Sequence, residues 1–374
     1  MVFIAFCSRS VIVPLLSPVL SQAVLLTKFC HLICPKIIPK SDCVNVFFQT
    51  YFPGADSADK EYFKNGGISV VHHGNMKLAF STSWIDGDPT RIESVLPHID
   101  SIEIGTRGDR QFFREILRLL RKFEIPVTSI HASCGPHKTD PEPYYTPHFM
   151  SKDNTLRQYD REQVARSAQW AEKIGARALV LHAGGLDDAE LKSMYRLYKD
   201  SMLREGPSSG LAKMKRDIMR IRKELMNGYL SSVIADLRSL CLRYPGVIFC
   251  LETRVHYYEV PLVEEAGYIL DRLKLPNIGY WHDVGHTFIL DRLGFTPQES
   301  WQRRLKQWCI GTHLHDVDVQ LNDHLPPGLG SMDFGEVLGQ FEWESMHTLE
   351  IHPRHPLECV LNGIERLRRY STSG

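Results

Sequence analysis

The chain has 374 residues, of which 43% are hydrophobic and 24% charged, and its 44 basic and 44 acidic side chains give a formal net charge of zero. This composition is that of an ordinary globular protein, and it excludes a fully disordered chain, a collagen-like fibre and a polytopic membrane protein. The zero net charge also argues against a protein that mainly binds the phosphate backbone of nucleic acids, because such binding needs a basic surface.

Residues 1–75 differ in character from the rest of the chain. The first 41 residues contain no Asp or Glu, and the apolar runs 11–16 and 19–26 are broken by Pro14 and Pro18. A membrane-spanning helix needs about 20 consecutive apolar residues, so a signal peptide or anchor fits poorly, and the scarcity of arginine fits an organellar transit peptide still less. We therefore expect a non-native or poorly ordered extension, followed by a folded body that begins at Met76.

The nine cysteines bear on the cellular location. Four of them fall in residues 1–75 and the other five are scattered, without the regular spacing of a disulfide framework. Cysteines without a disulfide framework are typical of intracellular proteins, whose thiols are kept reduced. The sequence therefore predicts a cytoplasmic protein whose folded body is not stably inserted in a membrane.

A repeated alternation of short apolar runs and longer amphipathic segments begins at Met76. Eight strands are predicted, at 77–82, 101–105, 126–131, 177–183, 247–253, 278–283, 309–315 and 346–352. Helical patterns lie between them, for example over 110–123 and 162–174. Strands that alternate with helices form a parallel sheet, and eight such units predict a closed (β/α)₈ TIM barrel over residues 76–374. The surplus length lies in 132–160 and in 186–245. Two or three helices are expected in 186–245, with a break at the Gly- and Pro-containing stretch 206–210.

The residues that carry chemistry follow from the barrel architecture, because active sites of TIM barrels form at the carboxyl ends of the strands. Six successive predicted strands end in or near an ionisable side chain: His131, His182, Glu252, Asp283 with His286, His313 and Glu350. Another histidine, His324, lies in the loop after the seventh strand. Burying so many ionisable groups in one mouth is costly unless they are paired or bind a metal. Imidazole and carboxylate ligands suit Mn, Mg, Co or Zn.

Five motifs carry a resemblance to a known family. They are LETR at 251–254, YWHDVGH at 280–286, THLHD at 312–316, DHLPPGLGSMDF at 323–334 and LEIHPR at 349–354. With them the chain resembles the xylose isomerase-like TIM-barrel superfamily, which holds sugar isomerases and epimerases, inosose dehydratase, hydroxypyruvate isomerase and AP endonucleases of the endonuclease IV type. The match is most specific over strands 5 to 8 and weaker over strands 1 to 4.

The resemblance implies a set of site residues. A divalent ion would be held by Glu252, Asp283, His313 and Glu350, and the two glutamates would act as acid and base on opposite faces of a small carbohydrate-like substrate. The implied reaction is an isomerisation or epimerisation by proton transfer through an enediolate. His286 is expected near a substrate oxygen as a further catalytic residue. Four residues are expected to bind substrate, namely His182, Arg254, His256 and His324.

A zinc-dependent phosphoesterase acting on abasic DNA is the alternative. It would use His131, His182, His286 and His324 as further metal ligands, in the pattern of the endonuclease IV type. The sequence departs from that pattern at Asn322, where the family places an acidic ligand two residues before the histidine. Residues 1–75 hold six of the basic and four of the acidic side chains, which leaves 38 against 40 for the barrel. This slight acidity disfavours nucleic acid as a partner, and a homodimer is expected because barrels of this kind often pair.

Overall fold

The computed structural model describes residues 76–106, 108–135, 149–226, 228–341 and 345–372. The expected N-terminal extension, residues 1–75, lies outside the described residues, and so does most of the loop after the third strand. Within the described residues, no helix is long and apolar enough to cross a membrane.

Eight parallel strands close into a barrel in sequence order, which confirms the predicted fold. They are β1 (Leu78–Ser81), β2 (Ser101–Ile104), β3 (Val127–His131), β4 (Ala178–Leu181), β5 (Ile248–Glu252), β6 (Ile278–Asp283), β7 (Cys309–Leu314) and β8 (Met346–Leu349). Pairing of β1 with β8 closes the circle. The strands are at most one residue shorter than predicted at the amino end and up to three residues shorter at the carboxyl end, because the sequence pattern continues into the first loop residues.

Ten α-helices surround or cap the barrel within the described residues. They are α1 (Arg110–Lys122), α2 (Asn154–Ile174), α3 (Ala189–Glu205), α4 (Ser209–Leu225), α5 (Tyr229–Arg243), α6 (Val263–Leu273), α7 (Val284–Arg292), α8 (Gln298–Leu305), α9 (Phe334–Leu338) and α10 (Leu357–Thr372). Short 3₁₀ helices occupy Thr82–Ile85, Pro89–Ser94, Leu96–His98 and Lys306–Trp308.

The surplus segment between β4 and β5 forms three helices, α3 to α5, as expected. The predicted break after residue 205 separates α3 from α4, where Gly206 has a φ of +73° and the Ser208 side chain accepts the Leu211 N–H to cap α4. An ordinary barrel unit needs only one helix here. The two additional helices therefore exceed what a single barrel unit requires.

The barrel interior is filled by side chains of alternate strand residues. Ala178, Val180, Cys250 and Trp281 form a buried apolar cluster of their own, separate from the larger core between sheet and helices. Trp281 of β6 pairs with Gly311 of β7. Only glycine fits at position 311, because a Cβ there would lie 2.4 Å from the indole ring of Trp281. The floor of the barrel is therefore apolar and closed, and polar side chains collect at the other end.

Strand register brings those polar side chains to one level. Glu252 at the end of β5 lies opposite Trp281, and Asp283 at the end of β6 lies opposite His313 in β7. Glu350 follows directly on β8, whose last residue pairs with Leu314. All these residues therefore lie at the carboxyl end of the barrel, the end at which TIM-barrel active sites form.

Candidate metal centre at the barrel mouth

Glu252, Asp283, His313 and Glu350 form a four-residue cluster at this mouth. Each offers one ligand atom, and these atoms all lie within 4.8 Å of one another. His313 Nδ1 is central, at 3.0 Å from Glu252 Oε1, 3.2 Å from Glu350 Oε2 and 3.7 Å from Asp283 Oδ2. Three carboxylates and one imidazole are a donor set that suits a divalent ion such as Mn, Co or Zn.

One carboxylate oxygen in the four-residue cluster is buried without a partner. Asp283 Oδ1 accepts the His286 N–H at 2.8 Å and contacts His315 Nε2 at 2.9 Å, whereas Oδ2 has no hydrogen-bond partner among the residues that the structure describes. An unpaired buried carboxylate oxygen is costly in a protein without a bound cation. The residues present therefore fit a metal ion held by this cluster.

Glu103 orients the histidine of the cluster from below, and sequence reasoning missed it. This fully buried residue of β2 receives a hydrogen bond from His313 Nε2 at 3.1 Å and another from the Ser129 hydroxyl at 2.9 Å. Because His313 donates its Nε2–H to Glu103, its Nδ1 is the nitrogen left for the cluster. A carboxylate behind a metal-binding histidine is the usual device for fixing the ring and strengthening the ligand. A lone Glu in the apolar strand SIEI was the available signal.

The carboxylates of the cluster are held ionised by the histidines around them. Burial opposes the ionisation of Glu350, but His313, His324 and His131 outweigh it and lower its pKa to about 2. Burial also opposes the ionisation of Glu252 and Asp283, yet neighbouring imidazoles hold both pKa values well below the ordinary range. The three carboxylates of the cluster are therefore ionised at neutral pH.

Glu350 is more accessible than the other two carboxylates. Its side chain is 13% exposed, compared with 1% for Glu252 and 0% for Asp283. The Ser83 hydroxyl donates to Glu350 Oε1 at 3.2 Å, while Oε2 faces His313. A substrate that enters the mouth can therefore reach Glu350 most directly.

His131, His182 and Glu252 form a second group, here called the strand 3–5 cluster. Glu252 Oε2 lies 3.1 Å from His131 Nε2 and 2.6 Å from His182 Nε2. Arg254 belongs to the same group of contacts, because its Nη1 lies 2.6 Å from His182 Nε2. Burial and then the Arg254 charge lower the pKa of His182 to about 3, so this imidazole is neutral.

His286, His315 and His324 form a third group, the three-histidine cluster. His286 Nδ1 donates to the Thr253 carbonyl at 2.8 Å, and His324 Nδ1 donates to the Glu350 carbonyl at 3.2 Å, which leaves both Nε2 atoms as acceptors. His315 differs, because its Nδ1 accepts the His324 N–H at 2.9 Å while its Nε2 faces Asp283. This cluster therefore offers two free imidazole nitrogens, and His315 serves to hold Asp283.

Asp316 organises the loop that carries His324. This fully buried carboxylate accepts the N–H groups of Val317, Gly328, Gly330 and Met332, at 2.8 to 3.1 Å. Asn322, the residue that departs from the endonuclease IV pattern, donates through its side chain to Asp318 at 2.8 Å. Asn322 is therefore engaged within the loop and does not belong to any of the three clusters.

The predicted substrate-binding residue His256 packs within the loop after β5. Its ring stacks on Tyr258 with centroids 5.0 Å apart, and its N–H donates to Glu259 Oε2 at 2.9 Å. Glu259 also pairs with Arg254 at 3.3 Å. The predicted site residues thus fall into three clusters at one mouth, with Arg254 and His256 on the loop after β5.

The sequence of residues 97–370 matches the model of the xylose isomerase-like TIM barrel family, and the chain belongs to that family. No curated protein matches the sequence.

Several solved structures are similar in fold. A D-tagatose 3-epimerase-like protein has a TM-score of 0.54 at 17% identity, and the match covers 79% of this chain and 97% of that one. D-psicose 3-epimerase from Clostridium cellulolyticum H10 has a TM-score of 0.53 at 13% identity over 80% of this chain and 100% of that one. A 3-keto-D-glucoside 4-epimerase from E. coli has a TM-score of 0.51 at 15% identity over 79% and 99%. Identities this low establish the shared fold alone.

Proposed function

We propose that this chain is a divalent-metal-dependent isomerase or epimerase that acts on a small sugar, sugar phosphate or polyol. The four-residue cluster carries the proposal, because three ionised carboxylates and one imidazole converge at the mouth and Asp283 Oδ2 has no hydrogen-bond partner among the described residues. Similar structures named as D-tagatose and D-psicose 3-epimerases support the choice of substrate class.

Glu252, Asp283, His313 and Glu350 would hold the ion. When bound there, a divalent ion supplies Lewis acidity that polarises a substrate carbonyl and stabilises the charge developing on its oxygen. Glu350 is the candidate base for the carbon next to that carbonyl, since it is ionised and the most accessible carboxylate of the cluster. Glu252 is the candidate for the second carboxylate, which exchanges a proton on the opposite face of the substrate.

Histidines of the mouth would hold the substrate hydroxyls. The Nδ1 atoms of His286 and His324 are committed to backbone carbonyls, so each presents an Nε2 lone pair as an acceptor. Arg254 can only donate hydrogen bonds, and its side chain is 13% exposed. Acceptors and a donor placed around a metal site fit a substrate with several adjacent hydroxyl groups.

The test follows proton exchange at the substrate carbon. Metal-free protein is reloaded with Mn, Mg, Co or Zn and incubated in D₂O with a panel of ketoses, aldoses and their phosphates, and ¹H NMR records loss of the exchanging signal. Glu350→Gln is expected to slow exchange about 10³-fold, because general acid–base catalysis is worth roughly 10²- to 10⁴-fold. Glu336→Gln, a change at an exposed residue of α9, is the matched control. Normal exchange by Glu350→Gln would contradict the proposal.

A phosphoesterase acting on abasic DNA is the second candidate. His131, His182, His286 and His324 favour it, because they add imidazole ligands beyond the four-residue cluster. The engaged Asn322 side chain and the slightly acidic barrel weigh against it. Cleavage of an oligonucleotide containing an abasic site by zinc-loaded protein, without sugar exchange, would establish this candidate in place of the first.

A further inference from the structure

The strand 3–5 cluster brings acceptor atoms unusually close together. His182 Nε2 lies 2.6 Å from Glu252 Oε2, and His131 Nε2 lies 3.1 Å from the same oxygen. Two imidazole nitrogens and one carboxylate oxygen are a donor set typical of zinc. Atoms of this kind need a positively charged partner beside them, because a buried carboxylate without one is strongly destabilising.

Arg254 supplies that positive charge from within the chain. Its Nη1 lies 2.6 Å from His182 Nε2 and 3.5 Å from Glu252 Oε2. The other end of the guanidinium is held by Glu259 at 3.3 Å from Nη2, and both side chains are largely buried. The guanidinium is therefore fixed in place against both acceptors.

A guanidinium in this position excludes a metal ion. The Arg254 N–H uses the lone pair of His182 Nε2, the same lone pair that a metal would need. Arginine also keeps its charge at every pH that a protein tolerates, so the positive charge beside the cluster is permanent. An ion bound by His131, His182 and Glu252 would face this charge at close range.

We propose that Arg254 takes the place of a second metal ion at the strand 3–5 cluster, so that the mouth binds fewer ions than its donor groups could hold. The inference deepens the proposed function and rests on it, because it separates a metal centre at the four-residue cluster from a neighbouring site closed by an internal cation. It also accounts for His131 and His182, which the one-ion reaction does not need as metal ligands. Both contact Glu252, and His182 also contacts the arginine.

The experiment counts zinc ions in the full chain. Metal-free wild type, Arg254→Met and Arg254→Lys are each saturated with zinc, freed of excess ion by gel filtration and analysed for zinc per chain, with calorimetric titration in parallel. Arg254→Met is expected to bind one more ion than wild type, and adding His182→Ala to it should abolish the gain. Arg254→Lys keeps a positive charge and should match wild type.

Two results would overturn the inference. One is an unchanged zinc count in folded Arg254→Met. The other is loss of an ion when His182→Ala is made in the wild-type background, because His182 would then already be a ligand. The difference in zinc count between wild type and the Arg254 variants tests the inference about Arg254. The zinc count of the wild type and its proton exchange on sugars test the proposed function. The inference and the proposed function can therefore fail separately.

A second variant covers the case in which Arg254→Met does not fold. Removing the arginine leaves Glu259 buried without its ion-pair partner, and Arg254→Met/Glu259→Gln removes both charges together. This double variant should show the same gain of one zinc ion, and an unchanged count would count against the inference as before.

Discussion

Glu103 determines which nitrogen of His313 faces the other members of the four-residue cluster. Its carboxylate accepts the Nε2–H from a fully buried position in β2, and Ser129 donates to its other oxygen. Loss of such a supporting carboxylate typically costs 10- to 100-fold in metal affinity. The metal affinity proposed for the four-residue cluster would therefore depend on a residue that is not itself a ligand.

Glu103→Gln is expected to weaken metal binding by about 10-fold, since the neutral amide still accepts the hydrogen bond but no longer strengthens the imidazole as a ligand. Glu103→Ala should weaken it by about 100-fold, because the Nε2–H then loses its acceptor. Competition against a chelator of known affinity measures both changes. Glu115→Gln, at a solvent-exposed pair with Arg118, is the control, and equal affinities for all three variants would contradict the prediction.

For single residues, the sequence predicts which side chains lie at the barrel mouth, but it does not predict which other side chains hydrogen-bond to them. Glu252, Asp283, His313 and Glu350 could be placed because parallel strands bring their carboxyl ends to one mouth. Glu103 and His315 could not, since their importance comes from contacts across the barrel and between loops, at His313 and Asp283. Such contacts depend on register and ring orientation, which one-dimensional patterns do not contain.

Among the elements, α4 supports the loop after β5. Arg222 of α4 donates to the carbonyls of Tyr257 and Glu259 and forms a buried ion pair with Glu265. Glu265 in turn accepts the Leu262 N–H at 2.8 Å, at the start of α6. One of the three helices between β4 and β5, α4, therefore fixes the loop that carries Arg254 and His256.

Arg222→Met should lower the free energy of unfolding by about 3 kcal/mol, because breaking a buried ion pair from one side leaves an uncompensated charge. Urea unfolding followed by circular dichroism measures the change. The control on the same helix is Arg220→Met, whose pairs with Asp217 and Glu224 are solvent-exposed and worth about 0 to 1 kcal/mol. A similar loss of stability in both variants would show that the buried contacts of Arg222 have no special weight.

The elements themselves were largely predictable, and their roles were not. Apolar periodicity located all eight strands, because burial on one face leaves a direct trace in the sequence, and the Gly- and Pro-containing stretch 206–210 located the break between α3 and α4. The support of one loop by Arg222 leaves no such trace. A basic residue in a predicted helix is most often solvent-exposed, whereas Arg222 is only 3% exposed.

For the whole molecule, the closed barrel predicts that residues 76–374 fold on their own. β1 pairs with both β2 and β8, so every strand has two neighbours without the first 75 residues. Arg368 of α10 donates to the Met76 carbonyl at 2.7 Å and pairs with Asp100, which joins the two ends of this unit.

A protein shortened to residues 76–374 is therefore expected to keep the barrel, with a midpoint of thermal unfolding within about 4 °C of the full chain, a shift that corresponds to roughly 1 kcal/mol or less. Differential scanning calorimetry of both proteins, with zinc content as a second readout, makes the comparison. Aggregation or a much lower midpoint for the shortened protein would show that the N-terminal segment contributes to the fold.

The many imidazole and carboxylate donors at the barrel mouth have a consequence for which metal ion the protein would acquire when it is produced in a cell. Affinity of such donors for first-row ions rises from manganese to copper whatever the reaction requires, so the four-residue cluster would have little means of rejecting a competing ion. Any ion that a purified sample carries would then reflect the supply of its growth medium. The proposed activity would require that the ion needed by the chemistry occupies the cluster.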